Sequence, residues 1–263
     1  MTQPVPPQQF PPPEPGPAVP LTVAAAEVSI AAMVFGIYTA WLATVTALVL
    51  APFVSFGLSP DPSAIWSTTP QWNRDVDRLL TALEQLARAG WEDAARQLGV
   101  NLPFDKSDPL LHDALQRTRN LMVRTPDEVY KQVIKELGKG HNLGETPDQL
   151  AARVRRVLDV NGAENWPARA QTVAVTEVHR AFNFGGLAAS QRIQQREQRP
   201  LTKRWDSKDD AAVRPAHRRA DGQLRPVSQP FLVMDEPLMM PGDPAGMPAN
   251  VINCRCKAIF GRQ

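Results

Sequence analysis

The chain has 263 residues, enough for one sizeable domain with appendages. Its 29 basic and 27 acidic residues leave a net charge of +2, which excludes a global polycation for nucleic acid and a global acidic tail. Two cysteines make no secreted disulfide framework, so a reducing cytoplasm is the natural compartment. Charge is uneven along the chain. Residues 1–60 carry only Glu14 and Glu27, and every Lys and Arg lies beyond Asp61. A modestly basic body behind an uncharged front is compatible with salt-sensitive DNA contact, and many soluble domains look the same.

Residues 4–20 hold nine prolines. Proline fixes φ and removes a donor, so residues 1–20 are expected to be an extended, solvated, polyproline II arm. Residues 21–60 are expected to form one long apolar helix. The stretch Val28–Leu50 has no charge and is long enough to cross a hydrocarbon layer of about 30 Å. No Lys or Arg flanks it before Arg74, so it lacks an orientation signal, and the Pro-rich arm before it is no secretory leader. Two fates remain, burial in an assembly, which is preferred, and insertion in a membrane.

From Asp61 the texture turns amphipathic. Val76, Leu79, Leu80, Leu83 and Leu86 keep the 3,4 spacing of one helical stripe. Gly90 and Gly99 are predicted stops, with a second helix over Trp91–Leu98 between them. Asn101–Pro109 reads as a linker that closes a 61–109 helical region. Beyond it, a domain spanning 110–263 begins with a helix over Leu110–Val123. Thr125-Pro126-Asp127-Glu128 has the form of an N-cap, a first-turn proline and first-turn acids, with the helix ending near Gly138–Gly140. Thr146-Pro147-Asp148-Gln149 repeats the device for a helix that stops at Asn161-Gly162. Trp166 to about Gln195 is one long helix. After Pro200 come short alternating segments with turn dipeptides Asp221-Gly222 and Pro241-Gly242. The fold class is therefore α+β, helices first and short antiparallel strands last.

Three polar groupings stand out. Thr176, Arg180 and Asn183 fall at i, i+4 and i+7 on the long helix, and Glu177 can pair with Arg180. The simpler reading is a polar side that is solvated or packs on the C-terminal module. Arg214, His217 and Asp221 can share a helical face and could serve acid–base or phosphate chemistry, or order the loop before Asp221-Gly222. Cys254 and Cys256, with His217 or His179, are zinc candidates, but zinc sites usually space cysteines C-x₂₋₄-C. Alternation of Ile252, Cys254, Cys256, Ala258 and Phe260 with Asn253, Arg255 and Lys257 predicts a strand whose buried face holds both thiols, so core packing is preferred over metal. Arg153, Arg155 and Arg156 read as a solvated face. Phosphate loops, H-E-x-x-H and nucleophile elbows are missing from the sequence, and no cofactor is expected.

Taken in order, these pieces resemble the Mu F-like minor head protein family, also called the phage head morphogenesis domain. The resemblance runs from about Leu110 to Phe260. It rests on Ala170, Ala174, Thr176, Glu177 and Asn183; then on Lys203, Trp205, Asp210, Val213, Arg214, His217, Asp221 and Gly222; then on Pro241, Gly242 and Asp243 with Asn253, Cys254, Arg255 and Cys256. It does not extend to the arm or the apolar segment, and no toxin or protease is expected to be fused behind the domain. The resemblance implies a low-copy structural component of the virion, inside the capsid near the portal, present in host cytoplasm during assembly. Its partners would be portal and other capsid proteins, with packaged DNA and, through Val28–Leu50, a host membrane as further candidates. It implies motif residues that are structural or interacting rather than catalytic. The rival expectation is an enzyme or toxin-like domain acting on nucleic acid or nucleotides through Arg214, His217 and Asp221.

Overall fold

The computed structural model describes residues 23–160, 166–208 and 210–262. The arm expected over 1–20 and the stop expected at Asn161-Gly162 lie outside the described residues. Helices occupy the first two-thirds and short antiparallel strands the remainder, the α+β arrangement expected from the sequence.

Helix α1 (Val23–Phe56) consists almost wholly of helix-compatible apolar residues. Three of its hydroxyls bond within the helix, Ser29 to Ala25 O (3.1 Å), Thr39 to Phe35 O (2.8 Å) and Thr44 to Ala40 O (3.0 Å). Gly57, at φ +65°, ends it in a left-handed cap with its N–H on Phe53 O. One side, including Ile30, Val34, Trp41, Val45 and Val49, is buried against the chain's own helices. Val28 and Val54 off that side, and Phe56 at the end of the helix, stay 68, 73 and 78% exposed. Apolar side chains therefore stay exposed after the helix has packed on its own chain.

A 3-10 turn (Pro62–Thr68), capped by Asp61, leads to α2 (Thr69–Gln97). The predicted break at Gly90 is absent, and one helix spans both predicted ones. Gly90 is instead where α2 meets α6 (Trp166–Glu197). A Cβ there would lie 1.9 Å from the Phe182 carbonyl oxygen, and one at Gly185 would lie 1.8 Å from the Ala87 carbonyl oxygen. The predicted stop at Gly99 is correct, because its φ of +66° is a conformation that suits glycine.

Helix α3 (Pro109–Met122) starts on Asp108, whose carboxylate accepts from the Leu110 and Leu111 amides. Helix α4 (Thr125–Asn142) differs from expectation at both ends. Thr125 is its first residue rather than its cap, and the helix continues through Gly138 and Gly140 to Asn142. Helix α5 (Pro147–Val160) starts on the expected cap Thr146, which also forms a capping box: the Thr146 amide donates to Gln149 Oε1 (2.8 Å) and the Gln149 amide to Thr146 Oγ1 (3.4 Å).

One apolar cluster joins α1, α2, α4 and α5 around Trp41, Trp72, Val133 and Leu150. Trp41 Nε1–H donates to Thr68 Oγ1 (2.8 Å), so the buried indole keeps its hydrogen bond. A second cluster packs α2 and α6 against the strands through Trp91, Leu187, Ile193 and Phe260.

The C-terminal part builds on β1 (Leu201–Asp206), the centre of an antiparallel sheet ordered β2-β1-β5, with β2 at Leu224–Pro226 and β5 at Lys257–Arg262. Helix α7 (Pro215–Ala220) lies between β1 and β2 in the chain. A hairpin of β3 (Phe231–Val233) and β4 (Glu236–Leu238) turns at Met234 and Asp235, both at positive φ. The short helix α8 (Pro248–Val251) precedes the cysteines. Leu201, Lys203 and Trp205 share one side of β1. Leu201 joins the α2–α6 core and Trp205 a small core of α7, β3, Cys254 and Cys256.

Candidate functional site: the buried polar seam between α6 and the C-terminal module

The polar stripe of α6 faces inward. Thr176 Oγ1 accepts from the Asn253 amide (2.9 Å) while donating to Thr172 O (2.7 Å). Arg180 donates through Nε to Gly242 O (3.0 Å) and through a guanidinium nitrogen to Glu177 Oε1 (2.6 Å). The second Glu177 oxygen accepts from Thr118 Oγ1 on α3 (3.0 Å). Asn183 Nδ2 donates to Pro241 O (3.1 Å) and Cys256 O (3.0 Å), and its Oδ1 accepts from the Ala258 amide (3.0 Å). All four side chains are buried. A buried polar group is tolerated when it is paired; Glu177 pairs with side chains, while Thr176, Arg180 and Asn183 reach backbone groups of the C-terminal module. The stripe thus clamps the Pro241-Gly242-Asp243 turn and the cysteine segment to α6.

The turn is secured from the other side as well. Gly242 takes φ +78°, and Asp243 accepts from the Met239 and Ala245 amides (2.7 and 2.9 Å). Lys203 is wholly buried, with Nζ on Met239 O (2.6 Å) and 5.1 Å from the Phe231 ring centroid. Burial lowers its pKa from 10.5 to about 8, against the charge of Asp243, which raises it. The sequence pattern names Lys203 without showing that the ammonium would lie inside.

Arg214, His217 and Asp221 do not converge into one constellation. Arg214, at the start of α7, donates to Ile252 O. Asp221 accepts from the Ser207 amide and hydroxyl (2.7 and 2.9 Å), closing the turn at Gly222, φ +74°. His217 turns into the small core, edge-on to Trp205 at 5.5 Å, with Nδ1 at 3.4 Å from Cys256 Sγ and 3.6 Å from Cys254 Sγ. Its Nε2 has no hydrogen-bond partner among the described residues. Asp210 holds Arg255 by two contacts of 2.7 and 2.8 Å, and that hydrogen-bonded guanidinium keeps the Asp210 carboxyl below its ordinary range.

The strand predicted over Ile252–Phe260 begins only at Lys257. Asn253, at φ 56°, and the end of α8 break the alternation, and Ile252 is 40% exposed. Both thiols are nonetheless buried. A hydrogen bond from Cys256 holds the Cys254 thiol well below its ordinary pKa, and Cys254 in turn pushes the Cys256 thiol up. The pair therefore parts with one proton far more readily than with two. His179, the other imidazole considered for the thiols, goes elsewhere: its Nε2 lies 2.7 Å from Glu27 Oε1 on α1, and burial lowers its pKa. The Glu27–His179 pair tethers α1 to α6 and was not legible in the sequence, where the two residues stand far apart.

A groove of about 720 Å³ runs beside this seam. It carries Glu27, Asp93 and Asp206 together with Arg96, Lys208, Arg255 and Lys257, a mixed lining rather than a phosphate-binding tract.

Residues 127–259 match the family described as Phage Mu protein F like protein. The chain belongs to that family. The match covers the seam from α4 to β5, and membership points to a phage head protein that associates with other capsid components. No curated protein and no solved structure matches the chain.

Proposed function

We propose that this Mu F-like protein is a low-copy minor head protein, bound at the portal through its helical part and facing the packaged DNA inside the capsid. Family membership supports the head role. The observation that carries the finer reading is the outer face of α1. A helix that has already filled its own core and still exposes Val28, Met33, Phe35, Leu48, Val54 and Phe56 along its length has the form of a docking element, because soluble monomers rarely leave so much apolar surface to water. Catalysis is no part of this reading. Arg214 donates to Ile252 O, Asp221 accepts from Ser207, and His217 faces two thiols, so the three do not converge on one point. Mass spectrometry of purified procapsids and virions tests the role, with the chain expected in both at a few copies per particle. Its absence from both would remove the proposal.

A further inference from the structure

Three metal-ligating atoms meet in the small core between α7 and the segment before β5. They are His217 Nδ1, Cys254 Sγ and Cys256 Sγ, and all lie within 4.8 Å of one another. The three residues are almost wholly buried, at 2, 2 and 3% exposure. Zn–S bonds of about 2.3 Å and Zn–N bonds of about 2.0–2.1 Å at the tetrahedral angle place nitrogen and sulfur about 3.6 Å apart. The two nitrogen–sulfur distances here are 3.4 and 3.6 Å.

A single S–H···N hydrogen bond accounts for one of those lengths and leaves the second sulfur at the same nitrogen. One imidazole nitrogen has one lone pair or one proton, and here two sulfurs share it at nearly equal distance. A metal ion satisfies all three atoms at once. A cavity of about 20 Å³ adjoins the three side chains, room for one water as a fourth ligand. Charge also balances. Two thiolates neutralise a divalent cation, so the buried centre carries no net charge. Three cationic side chains line the same cavity: Arg255, paired with Asp210, Arg214, which donates to Ile252 O, and Lys208. The one-residue spacer between the cysteines departs from the usual zinc spacing, and it is what sends Arg255 outward to Asp210 while both thiols turn inward.

We propose that His217, Cys254 and Cys256 bind one zinc ion, with a water in the fourth position, and that the ion staples α7 to the segment leading into β5. A thiolate–imidazole donor set selects zinc over magnesium or calcium. Binding releases the remaining thiol protons to solvent and leaves no bond to be made or broken elsewhere. The proposal stands or falls independently of the head role, because it concerns the folded chain alone.

The test uses full-length protein expressed with zinc in the medium and dialysed against metal-free buffer. Elemental analysis is expected to find about one zinc per chain. Replacing zinc by cobalt is expected to give the near-ultraviolet thiolate-to-cobalt charge-transfer band and the intense visible bands of a tetrahedral site. Cys256→Ser is expected to lose the charge-transfer intensity of one thiolate and to bind zinc more weakly. Wild-type protein that holds no zinc and gives no thiolate band with cobalt would overturn the site. So would zinc that stays bound with unchanged stoichiometry and affinity in both Cys254→Ser and Cys256→Ser. The wild-type spectrum decides even where a variant fails to fold.

Discussion

Asn183 links three backbone groups that no ladder reaches, so its loss is expected to cost more than one hydrogen bond. Asn183→Ala strands the Pro241 and Cys256 carbonyls and the Ala258 amide inside the protein. Each buried group left unpaired costs about 1–3 kcal/mol unless water replaces the partner, so a total near 3 kcal/mol is expected in urea unfolding. A loss under about 0.5 kcal/mol would mean that the seam is not what holds the turn. Lys203 makes a prediction with a sign. Its folded pKa of about 8 lies below its ordinary 10.5, so between those values the unfolded chain binds the proton and the folded one does not. Stability therefore rises with pH across that window, by up to about 3 kcal/mol, and the buried ammonium costs about that much below pH 8. Lys203→Met should flatten this part of the profile. If wild type and Lys203→Met show the same slope from pH 8 to 10, the ammonium is not held as described. At this scale the sequence is half legible. The i, i+4, i+7 spacing marks Thr176, Arg180 and Asn183 as one face, but their partners are carbonyls and amides of distant loops, which have no side-chain signature to read.

Glycines separate two kinds of helix contact. Gly90 and Gly185 bring α2 and α6 together so closely that an added methyl would overlap backbone, which cannot rotate away. Gly90→Ala should force the helices apart and cost about 3 kcal/mol or more. Gly138, inside α4, has nothing near its Cβ position, so Gly138→Ala should stabilise by about 0.5–1 kcal/mol through helix propensity. Thermal unfolding of the two variants checks this, and the same sign for both would contradict the close approach. The contrast explains why Gly90 suggests a stop in the sequence. A glycine that ends a helix and one that admits a neighbour look alike until the neighbour is known. Where the signal is local, the sequence is sufficient: the Thr146–Gln149 box marks the start of α5, and Val76, Leu79, Leu83 and Leu86 mark the buried stripe of α2. The segment around the thiols misleads for the opposite reason. Its alternation is that of a strand, yet Asn253 at positive φ and the α8 turn override it, leaving only Lys257–Arg262 in the ladder.

For the whole molecule the decisive element is α1, which has two roles on opposite sides. Its inner side supplies Trp41, Val45 and Val49 to the largest apolar cluster and Glu27 to the buried pair with His179. Removing residues 23–60 should therefore unfold or aggregate the protein and would report nothing about docking. Its outer side supports no fold contact of that kind, so it can be changed alone. The triple variant Val28→Gln, Val54→Gln, Phe56→Gln alters only residues more than two-thirds exposed, and its melting temperature should match wild type within a few degrees. If that face docks on the portal or another capsid protein, the variant should fold normally yet be missing from procapsids, since a polar amide buried without a partner costs more than the apolar contact it replaces. If the face instead meets a membrane when the protein leaves the particle, procapsids should incorporate the variant as wild type, and flotation with phospholipid vesicles should show binding by wild-type protein alone. A variant that folds, enters procapsids and matches wild type on vesicles would mean that neither a capsid partner nor a membrane reads this face, and the portal-docking proposal would lose its structural basis.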